Sequence, residues 1–191
     1  KRWYIDKNVV ISNNFKKLYF DIETDDSQKK IEIGRDRIVS FAAIDDEGNE
    51  FFYPLLEWSD DAEMAMLSKV MVLLQKYDII LGWNSKGFDL PYIKYRLARY
   101  DLHKKYGRVW SMLAKYDLWN RSRHIFRFDS HIKSFSLESM SQHFLQRGKI
   151  KHDEKIIELW KDNKTKLKEY NLEDCRLVKD LDEKLGISDM M

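Results

Sequence analysis

With 191 residues, 43% of them hydrophobic and only seven Gly and two Pro, the chain fits one compact domain and leaves little room for a flexible linker. Its 34 Lys and Arg against 32 Asp and Glu leave a net charge of +2, which excludes a strongly basic nucleic-acid binder and makes any basic track a local one. A single cysteine, Cys175, excludes an internal disulfide and a cysteine-built zinc site, fits a reducing compartment, and reads as a small apolar helix residue.

Residues 16–24 are predicted as the first strand, and its stretch LYFDIETDD (18–26) sets two acids inside an apolar run. Strand alternation puts Asp21 and Glu23 on one face and Phe20 and Ile22 on the other. Two like charges held side by side are unfavourable unless a shared proton, a basic partner or a bound cation neutralises them. Strands over 37–44 and 50–55 follow, joined by the turn sequence DDEGN, so the chain opens as a meander. Met64, Leu67, Val70, Met71 and Leu74 recur at helical spacing, and YDIILGW (77–83) is a short apolar run typical of a buried strand. A helix between strands implies a crossover and a partly parallel sheet.

After the loop NSKGF, the sequence DLPYIKYRLARY carries Leu90, Ile93, Leu97 and Tyr100 on one helical stripe, with Asp89 as N-cap and Pro91 in the first turn. Residues 109–128 mix aromatic and basic residues and assign themselves to no element. Ser136 opens a helix, with Ser139 standing where a capping box usually has Glu, and Leu137, Met140 and Phe144 form its stripe. Residues 153–185 read as charged and helical, with Leu177, Leu181 and Leu185 as the most regular row.

On that last helix Tyr170 and Asp174 are four apart and share a face. The row continues into Leu177, Leu181 and Leu185, so Asp174 faces inward, where a lone carboxylate shifts its pKa, finds a partner or coordinates metal. Asp89 follows a strand end and a Gly-containing loop, where functional groups of α/β sheets gather. Asp21, Glu23, Asp89 and Asp174 thus lie at element ends or on inward faces, with no His or Cys cluster beside them. Oxygen-only ligation suits hard cations such as Mg2+ or Mn2+, and two of them about 3.5 to 4 Å apart can drive phosphodiester hydrolysis. Bound metal would neutralise the paired acids.

The run WNRSRHIFRF (119–128) interleaves basic and aromatic residues, a pattern that suits the phosphates and bases of a single strand, and makes Arg121, Arg123 and Arg127 candidate contacts. The second basic cluster, QRGKIKHDEK, reads almost equally as a solvated charged face. Asp117, in KYDLW, is either a further acid at the site edge or a helix-start residue, the second being preferred.

FDIET (20–24), WNSKGFDLPYI (83–93) and YNLEDCRLV (170–178) resemble, in order and spacing, the three exonuclease motifs of the 3′–5′ proofreading domain of family B DNA polymerases, the DEDDy type. The segment KSFSLESMSQHFLQRGKIKHD (133–153) resembles that family's stretch between its second and third motifs, and the likeness runs from about residue 16 to 182. It implies an α/β fold of the ribonuclease H-like kind, with a mixed sheet flanked by helices: first strands an antiparallel meander, later strands parallel. It implies two divalent ions, Mg2+ or Mn2+, with Asp21, Glu23, Asp89 and Asp174 as ligands and Tyr170 placing the attacking water. Asn84 and Phe88 match the second motif and would touch the 3′-terminal nucleotides, although Phe88 suits a core position equally well. The related DEDDh nucleases use His-x-x-x-x-Asp, which His124 and Asp129 in HIFRFD fit; that pair lies off the final helix, so His124 reads as a surface or phosphate-side residue.

The expectation is therefore a metal-dependent 3′–5′ exonuclease on single-stranded DNA ends, with residues 1–15 an N-terminal extension and 16–191 one exonuclease domain. The alternatives are a catalytically silent nucleic-acid-binding module and an exoribonuclease of the same chemistry. Neither palm-domain aspartate motif of family B polymerases occurs, and the chain begins at Lys1, so it reads as a part excised from a larger polymerase-like polypeptide or as a free-standing relative. With no apolar run approaching the roughly 20 residues of a membrane span, it is expected to be soluble and intracellular, in cytoplasm, nucleoid or nucleus, with no membrane partner.

Overall fold

A computed structural model describes residues 15–30, 32–151 and 153–189, so the N-terminal extension lies outside the described residues except for Phe15. The strands are β1 (Lys17–Thr24), β2 (Ile38–Asp45), β3 (Glu50–Pro54), β4 (Ile79–Gly82) and β5 (Ala114–Asp117). They form one sheet in the order β3-β2-β1-β4-β5. The first three make the antiparallel meander, and β4 and β5 add in parallel, as the sequence implies. The hairpin between β2 and β3 closes because Asp45 accepts the Asn49 amide and Gly48 takes φ +89°, a conformation natural to glycine.

Helices cover both faces, and β1 sorts its residues between them. Leu18, Phe20 and Ile22 pack in the core that includes Leu67 and Met71 of α1 (Asp60–Leu74), Tyr92 and Ile93 of α2 (Asp89–Arg99), Tyr106 of α3 (Leu102–Met112) and Trp160 of α6 (Ile156–Asp162). Tyr19 packs on the other side with Leu118 of α4 (Leu118–Ile125), Met140 of α5 (Leu137–Leu145) and Leu172, Leu177 and Leu181 of α7 (Lys164–Leu185). Asp21 and Glu23 share the parity of Tyr19, so alternation alone turns them toward α7. β2 is buried along all eight residues, as befits an interior strand covered on both sides.

Three expectations are corrected. Asp89 is the first residue of α2 rather than its N-cap; Phe88 holds the cap position, and the Asp89 carboxylate instead accepts the Ile22 amide of β1. Residues 153–185 form two helices, because Asn163 (φ −148°, ψ 71°) interrupts them and caps α7 by accepting the Lys166 amide. The unassigned stretch 109–128 holds the end of α3, the edge strand β5 and α4. Among the described residues no helix is long and apolar enough to cross a membrane.

Candidate active site

Three segments converge at one end of β1. Asp21 and Glu23 come from the strand and Asp174 from α7, and each offers a carboxylate oxygen within 4.8 Å of the others. The pairing of β1 with β2 shifts register between Glu23 and Thr24, an irregularity of the kind that re-aims side chains at a strand end. Asn171, one turn before Asp174, donates to Asp21 Oδ2 at 2.7 Å and is itself oriented by the Ser40 hydroxyl at 2.9 Å. Asp89 is 4% exposed at the start of α2, and its Oδ1 receives the Ile22 amide at 3.3 Å.

The electrostatics follow from that crowding. Burial, then the charges of Asp89, Glu23 and Asp174, holds the Asp21 carboxyl well above the ordinary range, and burial followed by Asp174 does the same to Glu23. Asp89 is pushed up to about 7, mainly by burial. Asp174 is also raised by burial, although Lys149 opposes the rise. Cys175, fully buried beside them, has its thiol raised by burial and by the same acids, and so is inert.

Lys149 is the functional candidate that sequence reasoning missed. Its ammonium lies 2.6 Å from Asp174 Oδ2 and 5.4 Å from the centroid of the Tyr170 ring. Burial pulls its pKa down, but Asp174, Tyr170 and Asp21 more than reverse this, so it stays charged. No sequence period marks it; it sits in the basic cluster QRGKIKHDEK, which reads almost equally as a single-strand contact and as a solvated face. Tyr170 is half-buried one turn before Asp174, and burial with the Glu23 charge raises its phenol.

The residues fit a hard cation on two counts. The donor set is all carboxylate oxygen, and Asp174 Oδ1 is buried without a hydrogen-bond partner.

A cleft of about 640 Å³ opens from the acids, lined by Asp21, Asp174 and Lys149 together with Trp83, Asn84, Trp119, Arg123 and the segment Lys133–Leu137. Trp83 Nε1 donates to the Phe135 carbonyl at 3.0 Å and so ties that segment to the end of β4. Asn84 takes φ +58°, and its amide and that of Lys86 bond the Asp117 carboxylate at 3.1 and 3.0 Å. Asp117 also accepts from Trp119 and Asn120 at the start of α4, so the helix-start role holds. Arg123 lines the cleft with its guanidinium 4.6 Å from the Trp119 ring centroid. The other expected contacts lie apart from it: Phe88 packs on Tyr92 against the α1–α3 core, Arg127 lies over the exposed Phe128, and Arg121 is half-buried elsewhere on α4. His124 is exposed on α4 and is not in the acid cluster.

A family model of the RNase H superfamily matches residues 18–186. DNA polymerase 1 of Aeropyrum pernix is 33% identical over 134 residues, covering 63% of this chain and 14% of that protein. The DNA polymerase of Methanocaldococcus jannaschii is 25% identical over 185 residues, covering 84% of this chain and 11% of the relative. The solved family B DNA polymerase of Pyrobaculum calidifontis superposes with a TM-score of 0.74 at 25% identity, over 90% of this chain and 24% of that one. This chain thus spans under a quarter of the length of each, and its mixed five-stranded sheet has the arrangement their likeness implies. On the match across 18–186 and the fold that bears it, the chain belongs to the RNase H superfamily.

Proposed function

We propose that the chain is a 3′–5′ exonuclease domain, over residues 16–191, that hydrolyses the terminal phosphodiester bond of single-stranded DNA inside the cell, as the proofreading part of a larger family B polymerase-like protein. The observation that carries this reading is the convergence of Asp21, Glu23 and Asp174 within 4.8 Å, with Asp89 bonded to the strand between the first two. Asp21, Glu23, Asp89 and Asp174 would hold two ions, Mg2+ or Mn2+. Bound there, such ions supply Lewis-acid polarisation of the phosphate and charge stabilisation for the departing oxygen. The chain's own groups do the rest. The Tyr170 hydroxyl orients water from the α7 side, Asn171 keeps Asp21 in place, and the Lys149 ammonium meets the negative charge of the phosphate. Asn84, Trp119 and Arg123 offer polar, stacking and cationic contacts to the 3′ nucleotides along the cleft.

A silent binding module is the second reading, favoured by one contact: Lys149 already pairs with Asp174, placing a fixed positive charge among the acids. Incubation with 5′-labelled single-stranded DNA and Mg2+ or Mn2+ separates the two. Shortening from the 3′ end, abolished by chelator and by Asp21→Ala, is expected. Intact DNA with retained binding would leave the module. Parallel incubation with RNA of the same sequence reports how the cleft treats the 2′-hydroxyl, and faster loss of RNA would make the domain an exoribonuclease.

A further inference from the structure

Lys149 is held at both ends, and only one end is in the acid cluster. α5 ends at Gln146 in the left-handed conformation (φ +57°), and the chain turns back through Arg147, Gly148 and Lys149, none of which lies in a helix or strand. Arg147 reaches Glu173 at 3.3 Å and Asp180 at 2.6 Å on α7, but its side chain is 44% exposed, and exposed pairs fix little. The stronger hold comes from Glu138 in the first turn of α5. Its Oε2 accepts the Lys149 backbone N–H at 2.6 Å, while Oε1 accepts from Gln142 Nε2 at 2.5 Å. Hydrogen bonds to an ionised carboxylate are stronger than those between neutral groups.

Gly148 makes that approach sterically feasible. A Cβ there would stand 2.6 Å from Glu138 Oε2 and 2.8 Å from Oε1, so any side chain at 148 forces the carboxylate to shift from this position. Electrostatics argue against placing a carboxylate here at all, since Glu138 adds to the negative charge felt by Asp174. The backbone bond is the positional reason for it. A lysine side chain is long and rich in rotamers, so holding its ammonium at Asp174 is helped by an anchored backbone.

We propose that Glu138, seated against Gly148, is a positioning residue that fixes Lys149 in the acid cluster, governing the rate of the reaction without touching substrate. The activity arm of this idea rests on the exonuclease reading; the arm below that probes Lys149 directly does not.

The test compares Glu138→Ala, Glu138→Gln and Gly148→Ala, each in the wild-type and Lys149→Ala backgrounds. Two quantities are read: kcat and KM on single-stranded DNA, and the acetylation rate of Lys149 followed by peptide mass spectrometry. Glu138→Ala and Gly148→Ala are expected to lower kcat roughly 10- to 100-fold with KM little changed, as misplacement of a positioned group does. Both should speed Lys149 acetylation several-fold, and Glu138→Gln, which keeps an acceptor oxygen, should restore most of each property. In the Lys149→Ala background the same changes should leave kcat unaltered, because effects that act through one residue do not add. Equal losses in both backgrounds, or unchanged Lys149 reactivity in folded Glu138→Ala or Gly148→Ala protein, would overturn the proposal. Should the chain cleave no nucleic acid, the exonuclease reading falls, and the acetylation rates alone decide the role of Glu138. If Glu138→Ala does not fold, Gly148→Ala and Glu138→Gln carry the same comparison.

Discussion

Replacing Asp89 by Asn removes one charge from beside the acid cluster while keeping its shape, since Asn Oδ1 can still accept the Ile22 amide that lies 3.3 Å from Asp89 Oδ1. Burial pushes the Asp89 carboxyl from 3.8 to about 7. At about 1.4 kcal/mol for each tenfold change in proton affinity, an ionised Asp89 costs the metal-free fold up to about 4 kcal/mol. The sign follows from linkage. Below about pH 4 the carboxyl is protonated in both folded and unfolded chains and there is no penalty; as pH rises, the unfolded chain ionises first, so wild-type stability falls until about pH 7 and is level beyond it. Relaxation of the opened cluster and water at its rim reduce the effect, so Asp89→Asn should gain ~1–4 kcal/mol over wild type at about pH 8 with chelator and nothing at about pH 4.

Urea unfolding across that range, with EDTA, measures both the gain and the lost slope. Saturating Mn2+ should then reverse the order. A ligand bound only by the native state adds about 2.7 kcal/mol at a hundred times its Kd, and wild type should receive that gain while Asp89→Asn receives little of it. A variant no more stable than wild type at the alkaline end, or one that gains as much from Mn2+, would refute the reasoning that Asp89 is an ionised member of a metal-holding cluster.

Tyr170→Phe should slow DNA hydrolysis by about 10- to 100-fold while leaving Mn2+-induced stabilisation intact, and His124→Ala on the exposed face of α4 should change neither; single-turnover cleavage beside thermal melts checks both. A larger loss from the histidine change would move the water-handling role to α4. Glu63→Ala should destabilise the fold by roughly 3 to 5 kcal/mol, because it strips the carboxylate from Arg96, which is 1% exposed and bonds Glu63 through Nε at 2.7 Å. Urea midpoints read this directly, and a loss below about 1 kcal/mol would show that the pair is relieved by water. Arg123→Ala should weaken single-strand binding and lower the salt dependence of log K by about one phosphate's worth, whereas Arg127→Ala, off the cleft and over Phe128, should do so less. Fluorescence anisotropy at several salt concentrations separates the two.

What the sequence made legible, and what it hid, divides by whether the cause is local. The meander was readable because DDEGN is a turn by its own chemistry, and Asp21 and Glu23 share a face by strand parity alone. Asp174 was readable because helical spacing joins it to Leu177 and Leu181. β5 was not: AKYD is four residues with one buried side chain, Asp117, and it is a strand because β4 lies beside it. The break at Asn163 looked continuous because Lys161 and Lys164 on either side are good helix formers, and only the Asn cap marks the boundary. Asp89 reads as a cap by residue type, yet its carboxylate is drawn to an amide on β1, 67 positions away in the chain. Lys149 stood out only as one member of a basic cluster, because its place beside Asp174 depends on where α5 stops and how α7 passes it.

The same division explains how a stable fold can hold mutually repelling charges. β1 is the middle strand, bonded to β2 on one side and β4 on the other, and its Leu18, Phe20 and Ile22 are buried against the far helices. Those bonds and that apolar face keep Asp21 and Glu23 from turning outward, while Asp89 and Asp174 are fixed at the start of one helix and in the middle of another. The acids are not free to separate, so relief comes in part from the Lys149 ammonium held at Asp174 and otherwise from a proton or a cation from solution. Protons compete with the cation for the carboxylate oxygens, so raising pH favours the cation, while Lys149 occupies Asp174 Oδ2 and leaves Oδ1 open. A rigid set of donors with an exchangeable counter-charge can take up and release positive charge without reshaping the sheet. With the Lys149 backbone pinned by Glu138 and its ammonium at Asp174, the lysine is part of the fixed geometry, and proton and cation are the partners that exchange.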